Sequence, residues 1–270
     1  MKLCFIGGGN MASALIGGLI GKGQAATDIS VIEPVAAQRE HLTKAFDVRC
    51  FEAVSRDALA GDVIVFAVKP QQMRAVAQTL QPLLAGQLVI SIAAGIRAVD
   101  LSRWLGGHRR IVRTMPNTPA LIAKGITGVA AIAGLSAADR ATTATILQAV
   151  GDCVWVDREE QLDAVTAVSG SGPAYVFYFM EAMISGGQAL GLTEEQARRL
   201  TLATFAGAAQ LALNSSEAPS VLRERVTSKG GTTAAALATF AHGKVAAQIE
   251  LGLAAADRRS MELGDEFGKD

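Results

Sequence analysis

The feature that most limits how this chain can fold lies in residues 3–21. Leu3-Cys4-Phe5-Ile6 is a short apolar run of strand character, Gly7-Gly8-Gly9-Asn10-Met11-Ala12 follows at once, and a helical pattern continues through Leu15, Leu19 and Ile20. Strand, glycine turn and helix, in that order, are the setting in which a G-x-G-x-x-A match gains meaning. Gly7 permits a tight turn, Gly9 lets a pyrophosphate approach the backbone, and Ala12 is small enough for close helix–strand packing. The helix N-terminus adds N–H groups and a positive dipole end for phosphates. Ile6, Gly7, Gly8, Gly9, Asn10, Met11 and Ala12 are thus candidate dinucleotide-binding residues. Two plainer readings compete. The stretch carries no charge and is nearly long enough to span a bilayer, and Lys2 with Ala12-Ser13-Ala14 mimics a signal peptide. Six glycines, Asn10 and Ser13 interrupt the run and argue against both.

Composition narrows the partners. Lys plus Arg and Asp plus Glu number 25 each, so no global field favours nucleic acid or an anionic membrane. Half of the 270 residues are apolar and only 19% are charged, enough for a core and a subunit interface. Three scattered cysteines, Cys4, Cys50 and Cys153, form no C-x-x-C pair and suit a reducing cytoplasm. His41, His108 and His242 have no ligand spacing, so no metal site is expected.

The first half alternates strands and helices. Strands are expected at Ile29–Ile32, Val48–Cys50, Val63–Val68, Leu88–Ile92, Arg110–Arg113, 125–133 and Cys153–Val156, with helices between them. Pro70 suits the first turn of a helix, and Ser136 with Asp139 forms a capping box opening a helix to Val150. This alternation implies an α/β fold: a Rossmann-like, doubly wound, mostly parallel sheet over residues 1–162. After Ser169-Gly170-Ser171-Gly172-Pro173 the pattern is helical, with a second capping box at Thr193 and Gln196, a buried packing helix over 200–216, and a last helix from about Lys244 to Leu263. Residues 163–270 are expected to be an all-α domain that buries apolar surface against another subunit.

Ligands of open α/β sheets bind outside the carboxyl ends of the strands. Three loops are candidates there: Ala67-Val68-Lys69-Pro70, Ala93-Ala94-Gly95 and Met115-Pro116-Asn117. Glu33, followed by Pro34, ends the second strand. Its carboxylate can accept hydrogen bonds from adenosine ribose hydroxyls and repels a 2′-phosphate, with Arg39 close enough to soften that effect. Ser228-Lys229-Gly230-Gly231-Thr232-Thr233 precedes a helical run from near Ala234, an arrangement suited to an anion; a helix–helix turn capped by Thr explains it equally well.

Taken together these blocks resemble pyrroline-5-carboxylate reductase over essentially the whole chain. The blocks at 168–177 (Val-Ser-Gly-Ser-Gly-Pro-Ala-Tyr-Val-Phe) and 226–233 (Val-Thr-Ser-Lys-Gly-Gly-Thr-Thr) are the specific ones. The resemblance implies hydride transfer from NAD(P)H to the C=N carbon of 1-pyrroline-5-carboxylate, giving L-proline in the last step of its biosynthesis. It implies a nicotinamide near Lys69-Pro70 and Ala93-Ala94-Gly95. It places the substrate carboxylate at Ser228, Gly230, Gly231 and Thr232, and the imine nitrogen at Thr233, the candidate catalytic residue. It brings Glu159 or Glu160 to the substrate side, Glu159 being the one retained. It also implies helical domains that pair as a homodimer and assemble up to a decamer. Two residues depart from the family pattern: Lys229 stands where many members have proline, and Glu33 where many have a small polar residue and prefer NADPH. NADPH is the expected donor, and Glu33 keeps NADH open. The alternatives are a reductase of another cyclic imine and a non-catalytic NADPH-binding sensor.

Overall fold

A computed structural model of the chain describes residues 1–131 and 134–269. They form two compact units: Met1–Ser171 with the stretch from Ala255 onward, and Gly172–Ala254. In chain order the first contains β1 (Leu3–Ile6), α1 (Asn10–Gly21), β2 (Ile29–Ile32), α2 (Ala36–Phe46), β3 (Arg49–Phe51), β4 (Val63–Phe66), α3 (Pro70–Leu80), β5 (Leu88–Ser91), α4 (Ala98–Trp104), β6 (Ile111–Met115), β7 (Gly125–Ala131), α5 (Ala137–Leu147), β8 (Gly151–Val156) and α6 (Gln161–Val165), which runs into a π-helical turn at Thr166–Gly170. The expected strand over 125–133 is β7 as far as Ala131; Ile132 and Ala133 lie outside the described residues.

The eight strands form one sheet in the order β3-β2-β1-β4-β5-β6-β7-β8. All neighbours are parallel except β6 and β7. Residues 116–124, which join those two, hold only a 3₁₀ turn at Thr118–Ile122; a parallel crossover needs a dozen or more residues, so the chain reverses instead. Every residue of β1, β2, β4 and β5 is buried, as expected for a sheet covered on both faces. Successive side chains alternate between those faces. Leu3, Phe5, Val63, Val65 and Ile90 pack with Leu15 and Ile16 of α1 on one side. Cys4, Ile6, Ile64, Phe66 and Val89 pack with Met73 of α3 and Leu101 of α4 on the other.

The second unit holds α7 (Gly172–Ala189), α8 (Glu194–Leu213), α9 (Pro219–Arg225), α10 (Thr232–His242) and the first part of α11 (Val245–Phe267). Both expected capping boxes are present: Ser136 Oγ accepts from the Asp139 N–H, and Thr193 Oγ1 from the Gln196 N–H. The boundary between units falls at Ser171 rather than near 162. Leu162 and Asp163 are buried in the sheet unit, and Ser260 Oγ of α11 donates to Asp163 Oδ1 at 2.6 Å, so both ends of the expected helical domain join the sheet. The apolar stretch of α8 also differs from expectation. Leu200, Leu211 and Leu213 are 58–80% exposed, because nothing in a single chain covers that face. Among the described residues no helix is long and apolar enough to cross a membrane.

Candidate active site

The carboxyl ends of β2, β1, β4, β5 and β6 lie side by side along one sheet edge, and the candidate loops follow from them. The Gly7 N–H donates to Ile32 O at 2.8 Å, the Ala67 N–H to Ile6 O at 2.8 Å and the Ile92 N–H to Phe66 O at 3.1 Å. Thr114 Oγ1 donates to Ser91 O at 3.0 Å. These bonds carry the sheet ladder into the loops and fix their spacing. The chain leaves β1 for β2 on one side and returns to β4 on the other, so the crevice beside β1 is the topological switch point of the sheet.

The glycine turn is shaped residue by residue. Gly7 has φ +96°, and a Cβ there would lie 2.8 Å from Ala67 O, so a side chain is excluded twice. The Gly8 N–H points inward and donates to Glu33 Oε2 at 2.9 Å. Gly9 and Asn10 are exposed at the N-terminus of α1. A Cβ on Gly9 would meet nothing within 4 Å, and no side chain caps that helix. The turn therefore presents bare backbone beside open space, the form a pyrophosphate requires. Met11 is half-buried, and Ala12 is fully buried behind the turn.

Glu33 is buried, with its second oxygen accepting from the Val35 N–H at 2.9 Å. Both carboxylate oxygens thus hold the backbone of the glycine turn and of the Glu33-Pro34 turn together. Arg39 Nη1 donates to the carbonyls of Glu33 and Pro34, each at 2.8 Å, and Arg39 Nη2 pairs with Glu52 at 3.3 Å. Gln38 Nε2 donates to Gly8 O at 2.5 Å. Neither Gln38 nor the carbonyl role of Arg39 was signalled by the sequence, because both are α2 contacts onto a distant turn.

At the other end of the crevice, Lys69 is exposed and caps α3, with Pro70 at the first helical position. Ala93 and Gly95 are buried; Gly95 packs within 3.3 Å, measured from an added Cβ, of Phe267 and Leu263 of α11. Pro116 is buried. Asn117 is buried with its amide in use: Oδ1 accepts from the Ile126 N–H at 3.0 Å and Nδ2 donates to Ser169 O at 3.2 Å. Met115 and Asn117 therefore brace the loop against the π-helical turn, and Asn117 has its polar atoms turned into the protein.

Glu159 is half-buried and held through one of its carboxylate oxygens. Its Oε1 accepts from the Ala98 N–H at 2.7 Å and from Arg113 Nη1 at 3.1 Å. Glu160 is the exposed member of the pair. Burial pushes the Cys4 thiol up to about 11, so it stays protonated at neutral pH and is no nucleophile. Among the described residues no cluster of three His, Cys, Asp or Glu is set to hold a metal.

In the second unit the Ser228–Gly231 loop leads into α10. Gly230 has φ +73°, a conformation open to glycine, and the Gly231 N–H donates to Ser228 O at 3.0 Å. Gly231 caps the helix without a side-chain bond. Thr232 is exposed and Thr233 half-buried on its first turn, and Ser228 and Lys229 are exposed. The result is a helix N-terminus bearing two hydroxyls, electrostatically suited to a carboxylate.

Comparison with known proteins agrees with both halves. A model described as NADP oxidoreductase, coenzyme F420-dependent, matches residues 2–95, and one described as pyrroline-5-carboxylate reductase dimerisation matches residues 159–263. A pyrroline-5-carboxylate reductase of Pseudomonas aeruginosa is 48% identical over 269 residues, 99% of this chain and 98% of that one. The chain belongs to the pyrroline-5-carboxylate reductase family. A solved family structure from Coxiella burnetii superposes with a TM-score of 0.92 at 38% identity, over 97% of this chain and 98% of that one. A Plasmodium falciparum family structure with NADP bound gives 0.85 at 29% identity, over 98% of each chain. The sheet unit thus has the family's nicotinamide-dinucleotide fold, and the helical unit its dimerisation fold.

Proposed function

We propose that the chain reduces 1-pyrroline-5-carboxylate to L-proline at the expense of NADPH, with NADH as a weaker donor. The observation that carries this reading is the presence, in one chain of this family, of a bare glycine turn at a sheet switch point and a second bare helix N-terminus at Gly230–Thr233. When bound, the reduced nicotinamide supplies the hydride. Backbone N–H groups of Gly9, Asn10 and Met11 hold the pyrophosphate. Glu33 meets the ribose hydroxyls. The Ala67–Pro70, Ala93–Gly95 and Met115–Asn117 loops shape the nicotinamide end.

Backbone N–H groups at Gly230, Gly231 and Thr232, with Ser228 beside them, take the substrate carboxylate, and the Thr233 hydroxyl orients the ring nitrogen. A cyclic iminium is already electrophilic, so positioning does most of the catalysis; well-held reactants gain up to about 7–11 kcal/mol. Choice of donor rests on Glu33. Its charge opposes a 2′-phosphate, yet the Gly8 and Val35 N–H groups and the neighbouring Arg39 guanidinium offset that charge. The proposal includes a homodimer through the helical unit, assembled further to a decamer, in the cytoplasm, where the three free cysteines stay reduced.

The test is oxidation of NADPH and NADH with 1-pyrroline-5-carboxylate, beside its six-membered ring analogue. Rapid turnover of the five-membered ring with NADPH is expected. Thr233→Ala should lose about 10²-fold or more in kcat while binding NADPH as the parent does. Tight NADPH binding without imine-dependent turnover overturns the reading.

A further inference from the structure

Arg113 is a buried cation in the middle of β6, 5% exposed. It meets two carboxylates: Glu159 Oε1 at 3.1 Å and Asp163 Oδ1 at 4.0 Å. Asp163 Oδ1 also accepts from Ser260 Oγ of α11 at 2.6 Å. Glu159 Oε1 has a second donor, the Ala98 N–H at 2.7 Å, which opens α4 directly after the Ala93–Arg97 loop. On its other side the same loop is held by α11. Arg97 Nη2 pairs with Asp265 Oδ1 at 2.6 Å, and Gly95 lies against Phe267 and Leu263. One connected set of bonds therefore joins β6, the β8–α6 link and α11 around the single loop that leaves β5.

We infer that Glu159, anchored by Arg113, is a positioning residue for the Ala93–Gly95 loop and thereby for the nicotinamide half of the cofactor, and does not bind substrate. The inference rests on the cofactor site proposed above. Its logic is that of an outer partner: the carboxylate touches neither ligand, but it fixes the backbone that does. A buried guanidinium is what holds that carboxylate in place. Charge-assisted hydrogen bonds of this kind are shorter and stronger than neutral ones, and two donors on one oxygen leave it little freedom to swing toward a ligand. The family resemblance suggests a substrate contact for this residue; both donors to its Oε1 belong instead to α4 and β6.

The experiment measures binding as well as rate. Wild type, Glu159→Ala and Glu159→Gln are titrated with NADPH and, separately, with 2′-phospho-ADP-ribose, which lacks the nicotinamide. Glu159→Ala should weaken NADPH by about tenfold, the loss of one charge-assisted bond, and leave 2′-phospho-ADP-ribose unchanged. Glu159→Gln keeps an acceptor for the Ala98 N–H and should recover most of the NADPH affinity. The KM for 1-pyrroline-5-carboxylate at saturating NADPH should stay within about twofold, since no substrate contact is lost. Equal weakening of both nucleotides marks general damage to the fold and overturns the inference, as does a raised substrate KM with NADPH binding intact. Should wild type bind neither nucleotide, the proposed cofactor site itself fails, a result distinct from either.

Discussion

Gly7 and Gly9 sit two residues apart, and the structure gives them opposite reasons to be glycine. At Gly7 the backbone is left-handed and Ala67 O stands 2.8 Å from where a Cβ would go. Gly7→Ala should cost about 1–3 kcal/mol of stability, read as a lower denaturation midpoint, and should abolish NADPH binding with it. At Gly9 φ is −67° and the space around a Cβ is open. Gly9→Ala should therefore fold with at most about 1 kcal/mol lost from the helix cap, yet bind NADPH at least about tenfold more weakly, since a methyl group there occupies the phosphate approach. Equal stability with unchanged affinity would mean that the phosphates bind elsewhere. The two roles could be assigned from the G-x-G-x-x-A spacing alone, because the motif is local and each glycine answers to its immediate neighbours. Glu159 could not be assigned that way. Its partners Arg113 and Ala98 lie 46 and 61 residues away, and no spacing rule links residues on different strands and helices.

Helix α5 shows how much a local signal can carry. Ser136 and Asp139 were legible as a capping box, and both reciprocal bonds are present. Arg110, which was not legible as a partner, adds a salt bridge to Asp139 Oδ1 at 2.6 Å. That guanidinium, ahead of the Ser136 bonds, holds the Asp139 carboxyl below the usual carboxylate range despite the opposing effect of burial. A pKa lowered in the folded state favours the ionised form there, so the stability it adds is fully present above the unfolded value of about 3.9 and is lost as pH falls through the lower folded value. Asp139→Asn should thus lower stability at pH 7 and narrow its gap to wild type as pH falls below about 4. Urea denaturation at several pH values reads this directly, and a gap that stays constant with pH would remove Asp139 from the acid response. Strands β1, β2, β4 and β5 were equally legible as short runs of strand character, and the structure buries every residue of them. The end of α11 was not. Its amphipathic pattern tells which side is apolar but not that Ser260, Leu263 and Phe267 pack on the sheet unit while Ile249 and Leu253 belong to the helical one.

For the molecule as a whole, the second unit is apolar where a lone chain leaves it uncovered. Phe177 and Tyr178 on α7 are 58% and 70% exposed, and Leu211 and Leu213 on α8 are more so. Tyr175, Tyr178, Phe179, Ile249 and Leu253 line one apolar groove. Monomers rarely expose contiguous apolar patches of more than a few hundred Å², and the family model covering residues 159–263 is a dimerisation model. The surplus of apolar residues in the composition is thus concentrated on surface that assembly would cover, α7 and α8 among it. A charge on this surface stays hydrated in a monomer but must be stripped of water in a dimer, at a cost of several kcal/mol when unpaired. Tyr178→Glu should therefore raise the dimer dissociation constant by at least about 10²-fold, and sedimentation velocity should find monomer at concentrations where wild type is dimeric or larger. Val99→Glu is the matched control: Val99 is 67% exposed but lies on α4 of the sheet unit, and its variant should sediment as wild type does. If Tyr178→Glu sediments unchanged and Val99→Glu dissociates, the subunits meet through the sheet unit instead, and the apolar groove of the helical unit has some other occupant.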